Sequence, residues 1–260
     1  MLASTVFKAA FAGSCSLVAA ELLNTAWLLN DGEPQRSRQN ISGGPADNSS
    51  ARADEAVLLL PDIHRLAIPY ALRMADSYAR AGYFTVAVDT FEGDPAPYPL
   101  TSDPDFDVGT VIEYVRDSLG FPRVGIAGYC YGGYYSARFL AENRTVRADA
   151  AFAVTPSQAA AGVGDTLAEI ALVSGPITYA FAEIDNRMPR ELVNDIVDTL
   201  NNSRATAAPY QSVVYGNSNH GLGLRGETLN LQADNSSNPE EVFAKESAFL
   251  QAVRWFDTYL

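Results

Sequence analysis

Gly128-Tyr-Cys130-Tyr-Gly132-Gly133 sets a single cysteine among closely spaced glycines, where a thiolate could attack an electrophilic carbon. The apolar run 124–127 leads into it, and 131–140 leads out with helical spacing. Strand, sharp turn and helix are the context of a nucleophile elbow. Neighbours without Cβ atoms let strand and helix pass closely around a residue held in an uncommon backbone conformation. The first N–H groups of the helix would favour a thiolate on Cys130 and an oxyanion on a bound acyl group. The motif alone also fits a buried structural cysteine in a Gly-rich turn.

A thiol nucleophile needs a base, and the chain has two histidines. His220 lies in a polar, Gly-rich loop, Gly216-Asn-Ser-Asn-His220-Gly-Leu-Gly, directly after the strand-like run 212–215. His64 lies in Pro61-Asp-Ile-His64, after the run 57–60. Where such elbows are used the chain order is nucleophile, acid, histidine, which only His220 satisfies. The acid should follow a strand between them. The run 177–181 leads into Ala182-Glu183-Ile184-Asp185, which offers two carboxylates. Asp185 stands further out, before a helix opened by Pro189, and is preferred as the group that orients His220; Glu183 is the fallback. An oxyanion hole takes one N–H from the residue after the nucleophile and one from the loop after an early strand. Those are Tyr131 and Ile63. Asp62 could contact Cys130 or the substrate, or serve as an ordinary turn residue.

The elements that must carry these groups alternate. Apolar runs at 57–60, 84–88, 124–127, 150–154, 177–181 and 212–215 read as strands. Segments 68–81 (closed by Gly82), 106–119, 190–200 and 242–260 have helical spacing. Continuous apolar strands separated by helices imply a mostly parallel central sheet with helices on both faces, an α/β class in which catalytic groups gather at the carboxyl ends of the strands. At 260 residues, 47% apolar and 19% charged, the chain suits one large domain over 55–260. Residues 1–54 read as an N-terminal extension, with a polar, flexible linker over 30–54.

A net charge of −13 argues against nucleic acid and anionic membrane surfaces as partners. Two cysteines, Cys15 and Cys130, cannot make a disulfide framework, and a working Cys130 must stay reduced. That suits a cytoplasmic location. Residues 1–20 loosely resemble a signal peptide, which would make the protein secreted. N-x-[ST] sequons begin at Asn40, Asn48, Asn143, Asn201 and Asn235 and matter only in that case.

Taken together, residues 55–260 resemble the dienelactone hydrolase family (carboxymethylenebutenolidases), particularly its fungal members. The resemblance rests on Gly128-Tyr-Cys-Tyr-Gly-Gly, Pro61-Asp-Ile-His-Arg65, the segment 81–95, Ala182-Glu-Ile-Asp185, His220-Gly-Leu-Gly-Leu-Arg225-Gly and the last helix. It implies an α/β-hydrolase fold and a Cys130–Asp185–His220 triad. It also implies no metal or organic cofactor, and a small lactone or ester as substrate. Substrates of the family include lactones that carry a carboxylate, for which Arg65 and Arg225 are candidates. Tyr129, with Tyr131, Tyr134 and Tyr135, crowds the elbow and would either shape an aromatic pocket or serve as core. Two departures stand out: Thr155-Pro-Ser157 replaces the His-Pro-Ser of fungal members, and the stretch before residue 55 does not resemble the family's usual hairpin with paired cysteines. Three expectations stay open: lactone or ester hydrolysis, a hydrolase or lyase acting on a polyketide-like intermediate of fungal secondary metabolism, and a catalytically silent binding protein. The sequence is compatible with a monomer or a homodimer.

Overall fold

A computed structural model describes residues 26–30, 33–34, 52, 54–64, 69–88, 105–157, 166–203, 208–224 and 239–260. Its strands are β1 (Ala26–Asn30), β2 (Glu33–Pro34), β3 (Glu55–Leu60), β4 (Phe84–Val88), β5 (Arg123–Tyr129), β6 (Ala150–Val154), β7 (Ile177–Ile184) and β8 (Tyr210–Asn219). Its helices are α1 (Pro69–Arg80), α2 (Asp105–Asp117), α3 (Tyr131–Arg138), α4 (Thr166–Ala171), α5 (Arg190–Ser203) and α6 (Pro239–Tyr259). The strands form an eight-stranded sheet in the order β2-β1-β4-β3-β5-β6-β7-β8. Strands β3 to β8 run parallel to their neighbours, while β1 pairs antiparallel with both β2 and β4.

Alternation along the strands explains why both faces are covered. In β3, Ala56, Leu58 and Leu60 join one apolar cluster while Val57 and Leu59 join the other, and all five are fully buried. The first cluster receives Val108, Val111, Ile112 and Val115 of α2, the tyrosines of α3, and Val193, Ile196 and Leu200 of α5. The second receives Met74 and Tyr78 of α1 and Trp255 and Phe256 of α6. A strand buried on both sides must be apolar throughout, which is why the helix–strand alternation was legible. Helix α1 stops where Gly82 takes φ 101°, a conformation that costs glycine little. Buried Gln251 of α6 ties that helix to the sheet, donating to Thr178 Oγ1 at 2.6 Å and to the Tyr179 carbonyl at 3.0 Å.

Three elements lie where the sequence reading places none. Helix α4 falls where no element is expected, because Thr166-Leu-Ala-Glu-Ile-Ala is too short to show periodicity. The boundary drawn at residue 55 also divides the sheet. Ala26–Leu29, inside the expected extension, pairs with Thr85–Val88, and Asn30 pairs antiparallel with Glu33. The physical reason is the open edge of β4, which offers a ladder to the apolar run Ala26-Trp-Leu-Leu. The signal-like segment 1–20, Cys15 and the sequons at Asn40, Asn48 and Asn235 lie outside the described residues.

Candidate active site

Strand β5 sits between β3 and β6, so its carboxyl end opens near the middle of the sheet. Cys130 is the next residue, with φ 54° and ψ −110°, and it caps α3. A non-glycine residue there is uncommon, and such strain persists only where the surroundings hold it. The holding contacts are specific. Cys130 N donates to the Val154 carbonyl at 2.9 Å, and Gly133 N donates back to the Cys130 carbonyl at 3.0 Å. The flanking glycines serve close packing. A Cβ on Gly128 would stand 2.0 Å from Ser136 Oγ, and one on Gly132 would stand 2.2 Å from the Leu60 carbonyl oxygen. Gly132 N also donates to the Pro61 carbonyl at 3.2 Å, which docks the loop after β3 against the elbow.

The register of β7 and β8 brings acid and base together. Ile184 pairs with Asn219 across a bulge, so the next residues, Asp185 and His220, leave the sheet side by side. His220 Nδ1 lies 2.8 Å from Asp185 Oδ2, and His220 Nε2 lies 3.0 Å from Cys130 Sγ. Asp185 is itself held, because Oδ1 accepts the amides of Arg187 at 2.8 Å and Met188 at 3.1 Å. Glu183, the fallback acid, is turned elsewhere and accepts the Asn217 amide at 2.9 Å. Burial opposes charge on His220. The hydrogen bond to the Asp185 carboxylate and the contact with Cys130 outweigh it and push the imidazole up to about 9. When the ring is protonated, Nδ1–H donates to Asp185 and Nε2–H faces the sulfur.

Other expected site residues separate. Asp62 is buried, and its Oδ1 accepts the His64 amide at 2.9 Å, forming an Asx turn that shapes the loop carrying Ile63. Tyr131 opens α3, its own ring buried in the core with its hydroxyl donating to Tyr135. Tyr129 corrects the expectation of a substrate contact. Pleating turns it to the opposite face of the sheet from Cys130, where it is 2% exposed and its hydroxyl pairs with that of Tyr78 at 3.0 Å. Tyr134 and Tyr135 are likewise core. Arg65 and Arg225 lie outside the described residues. Among the described residues, no group of three or more His, Cys, Asp and Glu is placed to hold a metal ion.

The departing segment Thr155-Pro-Ser157 lies against the site. Ser157 Oγ lies 3.1 Å from Cys130 Sγ, and Thr155, at φ 39°, donates its hydroxyl to the His220 carbonyl at 3.0 Å. Thr155-Pro-Ser157 differs from the family pattern, yet nothing local in it announces contacts to residues so distant in sequence. A cavity of about 480 Å³ lies on the α1/α6 side, lined by Met74, Leu222, Lys245 and Phe249 among others, and Cys130, Asp185 and His220 are not in its wall.

A thiol, an imidazole and a carboxylate in line at the carboxyl edge of a mostly parallel sheet, with helices on both faces, define an α/β-hydrolase. Residues 45–260 match the Dienelactone hydrolase family, and the chain belongs to it. Relatives include hydrolase pyvD of Aspergillus violaceofuscus, 29% identical, with 83% of this chain and 84% of the relative covered. Hydrolase tropI of Talaromyces stipitatus is also 29% identical, covering 83% of this chain and 85% of its own. The structure of a Pyrococcus furiosus esterase superposes with a TM-score of 0.59 at 13% identity, covering 79% of this chain and 82% of that one. The protein is a hydrolase with the α/β-hydrolase fold.

Proposed function

We propose that this hydrolase opens a lactone or cleaves an activated ester through a thioester on Cys130. The observation that carries the reading is the run of contacts from Cys130 Sγ to His220 Nε2 at 3.0 Å and from His220 Nδ1 to Asp185 Oδ2 at 2.8 Å. The thiolate attacks the carbonyl carbon, and the amides of Tyr131 and Ile63 receive the oxyanion. His220 gives its Nε2 proton to the leaving alkoxide, which in a lactone stays attached to the acyl group. It then takes a proton from water, whose oxygen attacks the thioester and releases the carboxylic acid. Asp185 holds the tautomer and stabilises the imidazolium. A thiolate leaves readily, so activated esters and enol lactones suit it better than amides. The need for a reduced thiol supports a cytoplasmic setting, with a small molecule as partner and a monomer or homodimer as working unit.

The two fungal hydrolases among the relatives lend partial support to a second reading, in which the same thiolate acts on a biosynthetic intermediate by hydrolysis or by a lyase or isomerase step. One experiment addresses both. Purified protein is mixed with an activated aryl ester and followed by intact mass, with Cys130→Ala alongside. The expected outcome is an acyl adduct that forms and decays in wild type only, with turnover reduced at least about 10⁴-fold in the variant. Undiminished turnover by Cys130→Ala would sink the thioester mechanism, and a lactone offered in place of the ester and recovered rearranged rather than opened would favour the second reading.

A further inference from the structure

The turn after β6 touches the reacting sulfur, and the steps above leave its hydroxyl unused. Ser157 is 3% exposed, and its Oγ lies 3.1 Å from Cys130 Sγ. Its placement is not a loose side-chain approach, because Ser157 N also donates to the Cys130 carbonyl at 3.2 Å. Among the described residues the sulfur is the one partner of this hydroxyl. A serine hydroxyl both donates and accepts. Beside a neutral thiol either atom can be the donor; beside a thiolate only the hydroxyl can donate. A hydrogen bond to an ionised acceptor is the stronger of the two, so the contact favours the anion.

We infer that Ser157 is a second hydrogen-bond donor to the Cys130 sulfur, beside His220, and that it stabilises the thiolate both at rest and as a leaving group. The inference rests on the thioester reading. In deacylation the water oxygen bonds to the acyl carbon while the water's proton passes to His220 Nε2. The tetrahedral adduct then collapses, its oxyanion re-forms the carbonyl and the carbon–sulfur bond breaks. The electron pair of that bond stays on sulfur, where the Ser157 hydroxyl and the His220 Nε2–H both meet it. Without Ser157, half of that reception is missing in each turnover.

The test is the pH profile of Cys130 alkylation by iodoacetamide in wild type, Ser157→Ala and Ser157→Thr, with decay of the acyl adduct followed in parallel. In Ser157→Ala the midpoint of the profile should rise by about one pH unit, so that alkylation on its acid limb slows about tenfold, and the adduct should persist longer. Ser157→Thr, which keeps the hydroxyl, should return the midpoint to that of wild type. An unchanged midpoint in Ser157→Ala, with wild type alkylated selectively, overturns the role of Ser157 alone. Equal shifts in the alanine and threonine variants mean packing rather than the hydroxyl, and also overturn it. Wild type alkylated no faster than the unfolded chain overturns the activated thiol and this inference together.

Discussion

Two strand ends near the middle of the sheet carry non-glycine residues at positive φ, and they are held there by different means. At the end of β5, Cys130 has φ 54° and is surrounded by Gly128, Gly132 and Gly133, whose missing side chains let α3, β3 and β6 close around it. At the end of β6, Thr155 has φ 39° with no glycine beside it. Its amide donates to the Ala180 carbonyl at 2.8 Å and its hydroxyl to the His220 carbonyl at 3.0 Å, so neighbouring strands and loops hold it. The first turn is prepared by local composition, the second by tertiary contact. Both turns meet His220, Cys130 through its sulfur at Nε2 and Thr155 through its hydroxyl at the backbone carbonyl. Strain of about 1–2 kcal/mol at each is tolerable only because those contacts over-determine it.

After loss of Cys130, the largest effect expected is at Asp185. Asp185→Asn should lower kcat by about 10³–10⁴-fold, because the amide favours the wrong imidazole tautomer. It should also move a pH limb. The folded imidazole titrates near 9, above its ordinary 6.5, so its contribution to stability is complete below about pH 6.5 and is lost as pH rises through about 9. In wild type, kcat/KM should fall on the alkaline side near pH 9, as the proton needed by the leaving alkoxide is lost. Removing the Asp185 charge should bring that limb to lower pH. A limb that stays in place would detach Asp185 from His220.

Breaking the first turn should cost stability outright. Gly132→Ala would press a Cβ to within 2.2 Å of the Leu60 carbonyl oxygen, which cannot swing aside as a flexible side chain could. Loss of about 3 kcal/mol by denaturant titration is expected, and a loss below about 1 kcal/mol would mean that strand and helix can part there. The second turn should respond more gently. Thr155→Val keeps the shape and removes the hydroxyl, for about 1–2 kcal/mol and a fall in kcat with little change in KM. Thr155→Gly also loses the hydroxyl but accepts φ 39° without strain, so it should be at least as stable as Thr155→Val. The reverse order would show that Thr155 is not strained. The smallest effect belongs to Glu183, whose carboxylate serves an exposed backbone amide at Asn217. Glu183→Gln should change stability by less than about 1 kcal/mol and leave turnover within about threefold, in contrast to Asp185.

That contrast marks how far composition and spacing reach. Glu183 and Asp185 are two residues apart in one segment, and spacing alone ranks them only by distance from the strand. The bulge between β7 and β8 decides between them, because it pairs Ile184 with Asn219 and sends the following residues out together. Tyr129 is the opposite case. Adjacent to the nucleophile in sequence, it is carried to the other face by the pleat and buried against Tyr78.

The sequence by itself determined the elbow, the two-faced apolar strands and the one histidine that follows the nucleophile in the required order. The first two are local signals, because burial on both faces demands a continuous apolar run and a tight strand-to-helix turn demands glycine; the third is a matter of chain order alone. Only the tertiary structure decided that Asp185 faces His220, that Ala26–Leu29 closes the edge of β4, and that Ser157 reaches the sulfur. Those depend on register and on which strands become neighbours, quantities set by the packing of the whole sheet. Ser157 stands 27 residues from Cys130 along the chain and one hydrogen bond away in space.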